Sequence, residues 1–106
     1  MTSVTERIAA VRGRSERRLT LMQRKGERYT GGGADADKNF RTTAWLYGLA
    51  EPTVVLILLE KHLSALREIT AGSASEGAGD LEERIMDCQN YLDILYDLLA
   101  ARSSPA

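Results

Sequence analysis

Glu83 and Asp87 stand four residues apart, and Asn90 follows three residues later. On a helix this spacing puts the three side chains within about 60° of one another, on successive turns. Ile94 and Leu98 continue the same strip, and Tyr91 lies beside it. A carboxylate sharing a strip with Ile and Leu is incompletely solvated and needs a partner: a metal ion, an Arg or Lys, or a donor on a ligand. Two carboxylates one turn apart suit Mg²⁺, which prefers oxygen ligands and keeps several of its waters. The plainer reading makes Glu83 a helix cap and pairs Asp87 with Arg84 or with the basic first segment.

A second set lies upstream. Glu60, Ser64 and Glu68 follow i, i+4, i+8 spacing, Lys61 shares a flank with Glu68, and His62 leans toward the apolar side. A lone His on an apolar stripe is more often a satisfied core residue than a ligand or a base. No Ser, His and Asp, and no Cys and His, stand at a spacing that suggests a nucleophilic triad. One His and one Cys do not make a zinc centre. A third set flanks the glycine run Gly31, Gly32, Gly33: Lys25 and Arg28 before it, Lys38 and Asn39 after it, with Tyr29 as a ring able to stack on a base. The run lacks the Gly-Lys-Ser/Thr ending of a Walker loop and follows no strand. Glycines still let backbone amides approach a phosphate closely. The alternative is a plain linker.

The elements that must position these groups read as helices throughout. The first is expected from Val4 to Lys25. Ser3 and Glu6 have capping-box spacing, and Val4, Ile8, Val11, Leu19 and Met22 form one narrow apolar stripe. Residues 26–36 read as a loop, because three consecutive glycines oppose a helix. A short second helix is expected over 37–47, with Phe40, Ala44 and Trp45 available for a core and Gly48 closing it. The third has Pro52 in its first turn, where a missing N–H costs nothing, and runs to about Ile69 or Thr70, with Val55, Leu59, Leu63, Leu66 and Ile69 on one side. Residues 71–79 read as a flexible connection. Asp80 then reads as an N-cap, with Glu83 completing a capping box. The fourth helix is expected over 81–101, with a seam of Leu81, Ile85, Cys88, Leu92, Leu95 and Leu99. Residues 1–3 and 103–106 are expected to be flexible ends of a single all-α domain.

Of the 106 residues 43% are hydrophobic, enough for a core, yet the longest apolar run, Val54 to Leu59, is far short of the ~18 residues of a membrane span. The first residues lack the apolar stretch of a secretory signal, and Cys88 is the single cysteine, expected as a buried small hydrophobe. A cytoplasmic location is the expectation. The net charge of −1 hides a split. Residues 1–28 carry eight Lys/Arg against three Glu, a balance of +5, and the remainder carries six against twelve, a balance of −6. Such a split suits packing of the two parts, within the molecule or across a dimer, or a basic segment facing phosphates. Nucleic acid is a poor partner for a slightly negative chain whose basic residues are confined to one helix.

Read in order, Lys25-Gly26-Glu27-Arg28-Tyr29 with glycines following, Asp37-Lys38-Asn39-Phe40-Arg41, Leu59-Glu60-Lys61-His62-Leu63-Ser64 and Glu82-Glu83-Arg84-Ile85-Met86-Asp87-Cys88-Gln89-Asn90-Tyr91 resemble the phage and bacterial family called nucleotide modification associated domain. That family shows a Lys-x-x-x-Tyr-Gly-Gly segment, an Asn-Phe, a Lys-containing helix and an Asp-Leu-x-Asn-Tyr ending. The likeness spans roughly residues 20–98. The family is similar in turn to the all-α NTP pyrophosphohydrolases of MazG type, which are oligomeric and Mg²⁺-dependent and carry Glu-x-x-Glu on one helix and Glu-x-x-Asp on the next. This chain departs from that pattern. Glu60 has no acidic mate at 63 or 64, Glu83 to Asp87 is one residue longer than Glu-x-x-Asp, and His62 stands where the nearer family has Lys.

The resemblance implies a four-helix, MazG-like bundle completed by homo-oligomerisation. It also implies a protein that binds a nucleotide or nucleotide-derived signal at a subunit interface. Small size, expected oligomerisation and the weakened set of metal ligands then make a phage-encoded sponge, sequestering an immune signal as an anti-defence device, the form expected, with no cofactor required for binding. Tyr29 is expected to stack, Lys25 and Arg28 to hold phosphates, Asn39, Asn90 and Tyr91 to hydrogen-bond, and Lys61, His62 and Asp87 to complete the ligand site. The alternative is a Mg²⁺-dependent (d)NTP pyrophosphohydrolase with Glu60, Glu83 and Asp87 as metal ligands. A structural helical adaptor is the third reading.

Overall fold

A computed structural model describes residues 2–30 and 38–103 and, within its helices, leaves aside the side chains of 26–30, 38 and 103. The described residues form four α-helices and no strand: α1 (Val4–Thr30), α2 (Lys38–Tyr47), α3 (Glu51–Thr70) and α4 (Ala78–Ser103). The chain is all-α, as its periodicities predict. It divides into two compact units, Met1–Ala36 and Asp37–Ala106.

The first unit is built on α1. Its start is as expected: the Glu6 amide donates to Ser3 Oγ at 3.1 Å, and the Arg7 amide to the Ser3 carbonyl at 2.9 Å. Its end is not. The helix continues through Gly26 to Thr30, where a loop was expected from residue 26. A single interior glycine costs only about 1 kcal/mol, and the good helix formers Glu27 and Arg28 follow it. Val4, Ile8, Val11, Leu19 and Met22 all lie exposed along α1.

In the second unit α2 packs on α3, and α3 packs along α4. Ala44, Val54, Val55, Leu59, Met86 and Cys88 form its buried core, and Val55 is completely covered. Three expectations about facing need correction. Trp45 is 82% exposed, because Ala44 and not its neighbour is the α2 position turned to α3. On α3, Leu63 is exposed, while Leu66 and Ile69 are half-buried. The predicted α4 seam is buried only at Cys88; Ile85, Leu92 and Leu99 are exposed, whereas Met86 is covered. Helix α4 thus meets α3 with a face rotated from the strictest apolar heptad, because the expected strip of Asp87, Asn90, Ile94 and Leu98 turns part-way inward instead.

Both α2 and α3 end on left-handed glycines. Gly48 has φ 66° and Gly72 φ 82°. The Leu49 amide reaches back to the Ala44 carbonyl at 2.9 Å, and the Ser73 amide to the Glu68 carbonyl at 3.0 Å. These are the six-to-one bonds of Schellman caps. Pro52 sits in the first turn of α3. Helix α4 starts earlier than expected: the Leu81 amide donates to the Gly77 carbonyl at 2.9 Å. Asp80 is therefore inside the first turn, where its charge offsets the helix dipole, and is not the N-cap. The far end of α4 reaches Ser103, two residues beyond the expected stop at 101.

No single helix among the described residues is long and apolar enough to cross a membrane; α2 and α3 reach that length and composition only together, bent by 105° at their junction.

Candidate functional site

The packing of α3 along α4 and the early start of α4 bring one turn of α3, the first turns of α4 and the end of their connection together. His62 comes from α3, Glu76 from the connection, and Asp80, Glu83, Arg84 and Asp87 from the first three turns of α4. They line a cleft of about 350 Å³, within the size range of small-ligand sites.

Arg84 is its hub. The Arg84 Nε donates to Glu76 Oε1 at 2.7 Å, and Nη2 makes a second close contact with the same oxygen. Arg84 Nη1 meets His62 Nδ1 at 3.2 Å. On the far side of the imidazole, Nε2 stands 3.9 Å from Asp87 Oδ2. These four side chains are each roughly one-fifth to one-quarter exposed, so the chain Glu76–Arg84–His62–Asp87 is partly shielded from water. The Arg84 hydrogen bond holds the Glu76 carboxyl below its usual range, against an opposing push from burial, and the same bond raises Arg84 further above its own. Glu76 Oε2 is buried and accepts no hydrogen bond.

The imidazole also has aromatic neighbours. The His62 and Tyr91 rings lie 5.7 Å apart, tilted by 34°, and Tyr91 meets Phe40 edge-on at 6.4 Å. Phe40 reaches this row from α2, so each of the three helices of the second unit contributes one ring to it.

The predicted site residues are thus divided. His62, Glu83 and Asp87 line the cleft, Tyr91 lies against the His62 ring, and Asn90 is half-buried one turn beyond Asp87. Lys61 is exposed, and Glu60 is bound to Arg67 and is not part of the lining. Asn39 lines a different hollow, an apolar groove of about 320 Å³ between α2 and α3 walled by Phe40, Val54, Ile57 and Leu58. Lys25 belongs to the first unit, and the side chains of Arg28 and Tyr29, with the glycine run 31–33, fall outside the described residues. No group of three or more His, Cys, Asp or Glu among the described residues stands close enough to hold a metal ion. Glu60, Glu83 and Asp87 therefore do not gather there as one metal centre.

Two members of the cleft were not singled out by the sequence reading. Glu76 is the only charged residue in 71–79, a hint that this connection does more than link helices. Arg84 was visible only as a pairing option for Asp87. Cys88, one residue beyond Asp87, is buried as expected, and burial pushes its thiol up, away from the reactive thiolate.

Comparison with protein-family models, curated proteins and solved structures finds no match to this chain.

Proposed function

We propose that the protein binds a nucleotide or nucleotide-derived signal, with the His62–Arg84–Asp87 cleft taking its nucleoside end, and holds that ligand without cleaving it. The observation that carries this reading is the aimed imidazole: His62 lies against Tyr91 and is fixed by Arg84 toward Asp87. A flat ring beside a directed donor and acceptor is the equipment for recognising a base and a sugar. The cleft carries four carboxylates against one guanidinium. Bare phosphates are repelled there, so the part of the ligand that this cleft takes is uncharged and rich in hydrogen-bonding groups. Sequestration of a signal by mass action needs no more than this.

Self-association belongs to the same proposal. Ile85, Leu92 and Leu99 recur every seven residues on α4 and are 42%, 52% and 41% exposed. A heptad of exposed apolar residues is the pattern of a helix that pairs with another. A MazG-like bundle assembled from several copies would cover it.

Glu83 and Asp87, one turn apart at the same cleft, favour one alternative, a Mg²⁺-dependent (d)NTP pyrophosphohydrolase. Mg²⁺ is commonly held by one or two carboxylates together with substrate phosphates. Glu60, the third expected ligand, stands apart from the lining and is paired with Arg67, and no metal-dependent step is assigned to this site.

Thermal unfolding against a panel of dNTPs, cyclic dinucleotides and ADP-ribose derivatives, with and without Mg²⁺, tests these readings. A ligand that raises the melting temperature without Mg²⁺, and is recovered intact, supports sequestration. Loss of the ligand only when Mg²⁺ is present makes the protein an enzyme, and Asp87→Asn should then abolish turnover. A flat response across the panel leaves a structural helical adaptor.

A further inference from the structure

The tautomer of His62 follows from its neighbour. A guanidinium can only donate hydrogen bonds. With Arg84 Nη1 at 3.2 Å, His62 Nδ1 must offer its lone pair, so the proton of the neutral ring sits on Nε2. Glu76 makes this arrangement stiff, because it grips Arg84 through both Nε and Nη2. The donor thus aimed, Nε2–H, faces an acceptor, Asp87 Oδ2, across 3.9 Å. That gap exceeds the ~3.2 Å limit of an N–H···O bond. It is spanned when one oxygen carrying a hydrogen sits about 2.8 Å from each, a normal hydrogen-bond length. The oxygen accepts from Nε2–H and donates to Oδ2. A carboxylate oxygen takes more than one hydrogen bond, so Asp87 can accept this one beside its other partners.

The surroundings choose among oxygen groups. Besides His62 and Asp87, the cleft is lined by Glu76, Asp80, Glu83 and Arg84. Arg84 is committed to Glu76 and His62, and Glu76 Oε2 is a buried acceptor with no donor. The side chains lining the cleft thus offer more acceptors than donors, which favours a ligand group that brings hydrogens. A hydroxyl does so; a phosphate oxygen, a carboxylate or a carbonyl does not.

We propose that His62 Nε2–H and Asp87 together hold one hydroxyl group of the ligand, so that the molecule recognised carries a sugar hydroxyl, a ribose-type and not a dideoxy ligand. The inference rests on the nucleotide reading for the identity of the sugar, and on the Arg84–His62 geometry for the hydroxyl. Glu76 and Arg84 are positioning residues in it, acting through His62.

The chain has a single His, so a ¹⁵N-imidazole spectrum of the labelled protein reports His62 alone. The Nε2–H tautomer is expected in the neutral ring, and Glu76→Gln and Arg84→Met should each return the ring toward a mixture of tautomers. A dominant Nδ1–H form in the unaltered protein overturns the proposal outright. Calorimetric titration then compares the ribonucleotide that gives the strongest melting shift with its 2′-deoxy, 3′-deoxy and 2′,3′-dideoxy analogues. Removing the recognised hydroxyl should weaken binding at least tenfold, and that discrimination should fall below twofold in folded His62→Phe. Equal binding of all analogues means that only water fills the gap; the hydroxyl assignment then fails while the nucleotide reading stands. Failure of every nucleotide to bind removes the nucleotide reading. In that event methyl riboside at high concentration decides the hydroxyl assignment: movement of the His62 Nε2–H signal supports it, and an unmoved signal overturns it.

Discussion

Helix α3 borders two hollows of nearly equal size. Ile57 and Leu58 help wall the apolar groove against α2, and His62, one turn further on, opens onto the polar cleft against α4. The groove offers contact area without direction: any apolar group of suitable size gains from entering it. The cleft offers direction without much apolar area, since its donors and acceptors are fixed by Glu76, Arg84 and Asp87. Volume alone does not separate them. What separates them is that one holds an imidazole whose proton position is dictated by its neighbours, and discrimination between ligands arises from groups left unpaired by the wrong one.

The largest expected effect comes from the residue between the two. Leu59 is buried in α3, next to the groove wall and one turn before Leu63. Leu59→Ala should cost about 2–4 kcal/mol, a large share of the ~5–10 kcal/mol that holds a small domain together. Urea unfolding measures it. A loss below about 1 kcal/mol would mean that Leu59 is not packed in the core of the second unit.

Next come the walls themselves. His62→Phe keeps the aromatic contact with Tyr91 but removes the aimed donor, so on the proposed nucleotide reading the ligand-dependent rise in melting temperature should shrink, with a loss of at least tenfold in affinity, or about 1.4 kcal/mol. Ile57, half exposed in the groove, should behave oppositely. Ile57→Ala should cost about 1 kcal/mol of stability or less and change nucleotide affinity less than twofold. If both variants lose the ligand to the same degree, the groove is part of the site and the contrast between the hollows collapses.

The contrast was only partly legible in the sequence. Helix count and order followed from periodicity, because apolar spacing of three and four is a local property that the packed structure inherits. Gly48 as a cap was legible for the same reason: the end of a short apolar period followed by a residue free to take positive φ. The cleft was legible at Glu83, Asp87 and His62, whose spacing or rarity draws notice. It was illegible at Glu76 and Arg84, eight residues apart in sequence, because their meeting depends on the path of the connection after Gly72. The sides of α4 were misjudged because its apolar residues outnumber the positions that α3 can cover. Ile85, Leu92 and Leu99 satisfy the heptad rule, and in this unit they face away from α3.

That path gives a smaller prediction. Gly72 and Gly48 have positive φ, and a Cβ at either would meet nothing within 4 Å. Alanine at these positions therefore tests backbone strain alone. Each substitution should cost about 1 kcal/mol. Gly72→Ala should in addition weaken the cleft, since it shifts the segment that delivers Glu76 to Arg84, whereas Gly48→Ala should leave the His62 tautomer unchanged. Equal effects on the imidazole spectrum would show that the connection does not set the cleft.

The smallest effect is the dependence of stability on pH that Glu76 contributes. Its carboxyl is held below the usual range first by the hydrogen bond from Arg84, with burial opposing. A group whose folded pKa lies below its unfolded one stabilises the fold while ionised. Its contribution is complete above the unfolded value, near pH 4–5, and is lost as pH falls through the lowered folded value. Comparing the protein with Glu76→Gln isolates this from the titration of Asp80, Glu83 and Asp87, which are common to both. The stability difference between the two should be flat from pH 7 to about pH 5 and should shrink below about pH 4. Salt should narrow it further, because the pair is only partly shielded. A difference that grows on acidification would mean that Glu76 is easier to protonate in the folded chain than in the unfolded one, and the Arg84 grip on which the aim of His62 depends would then be absent.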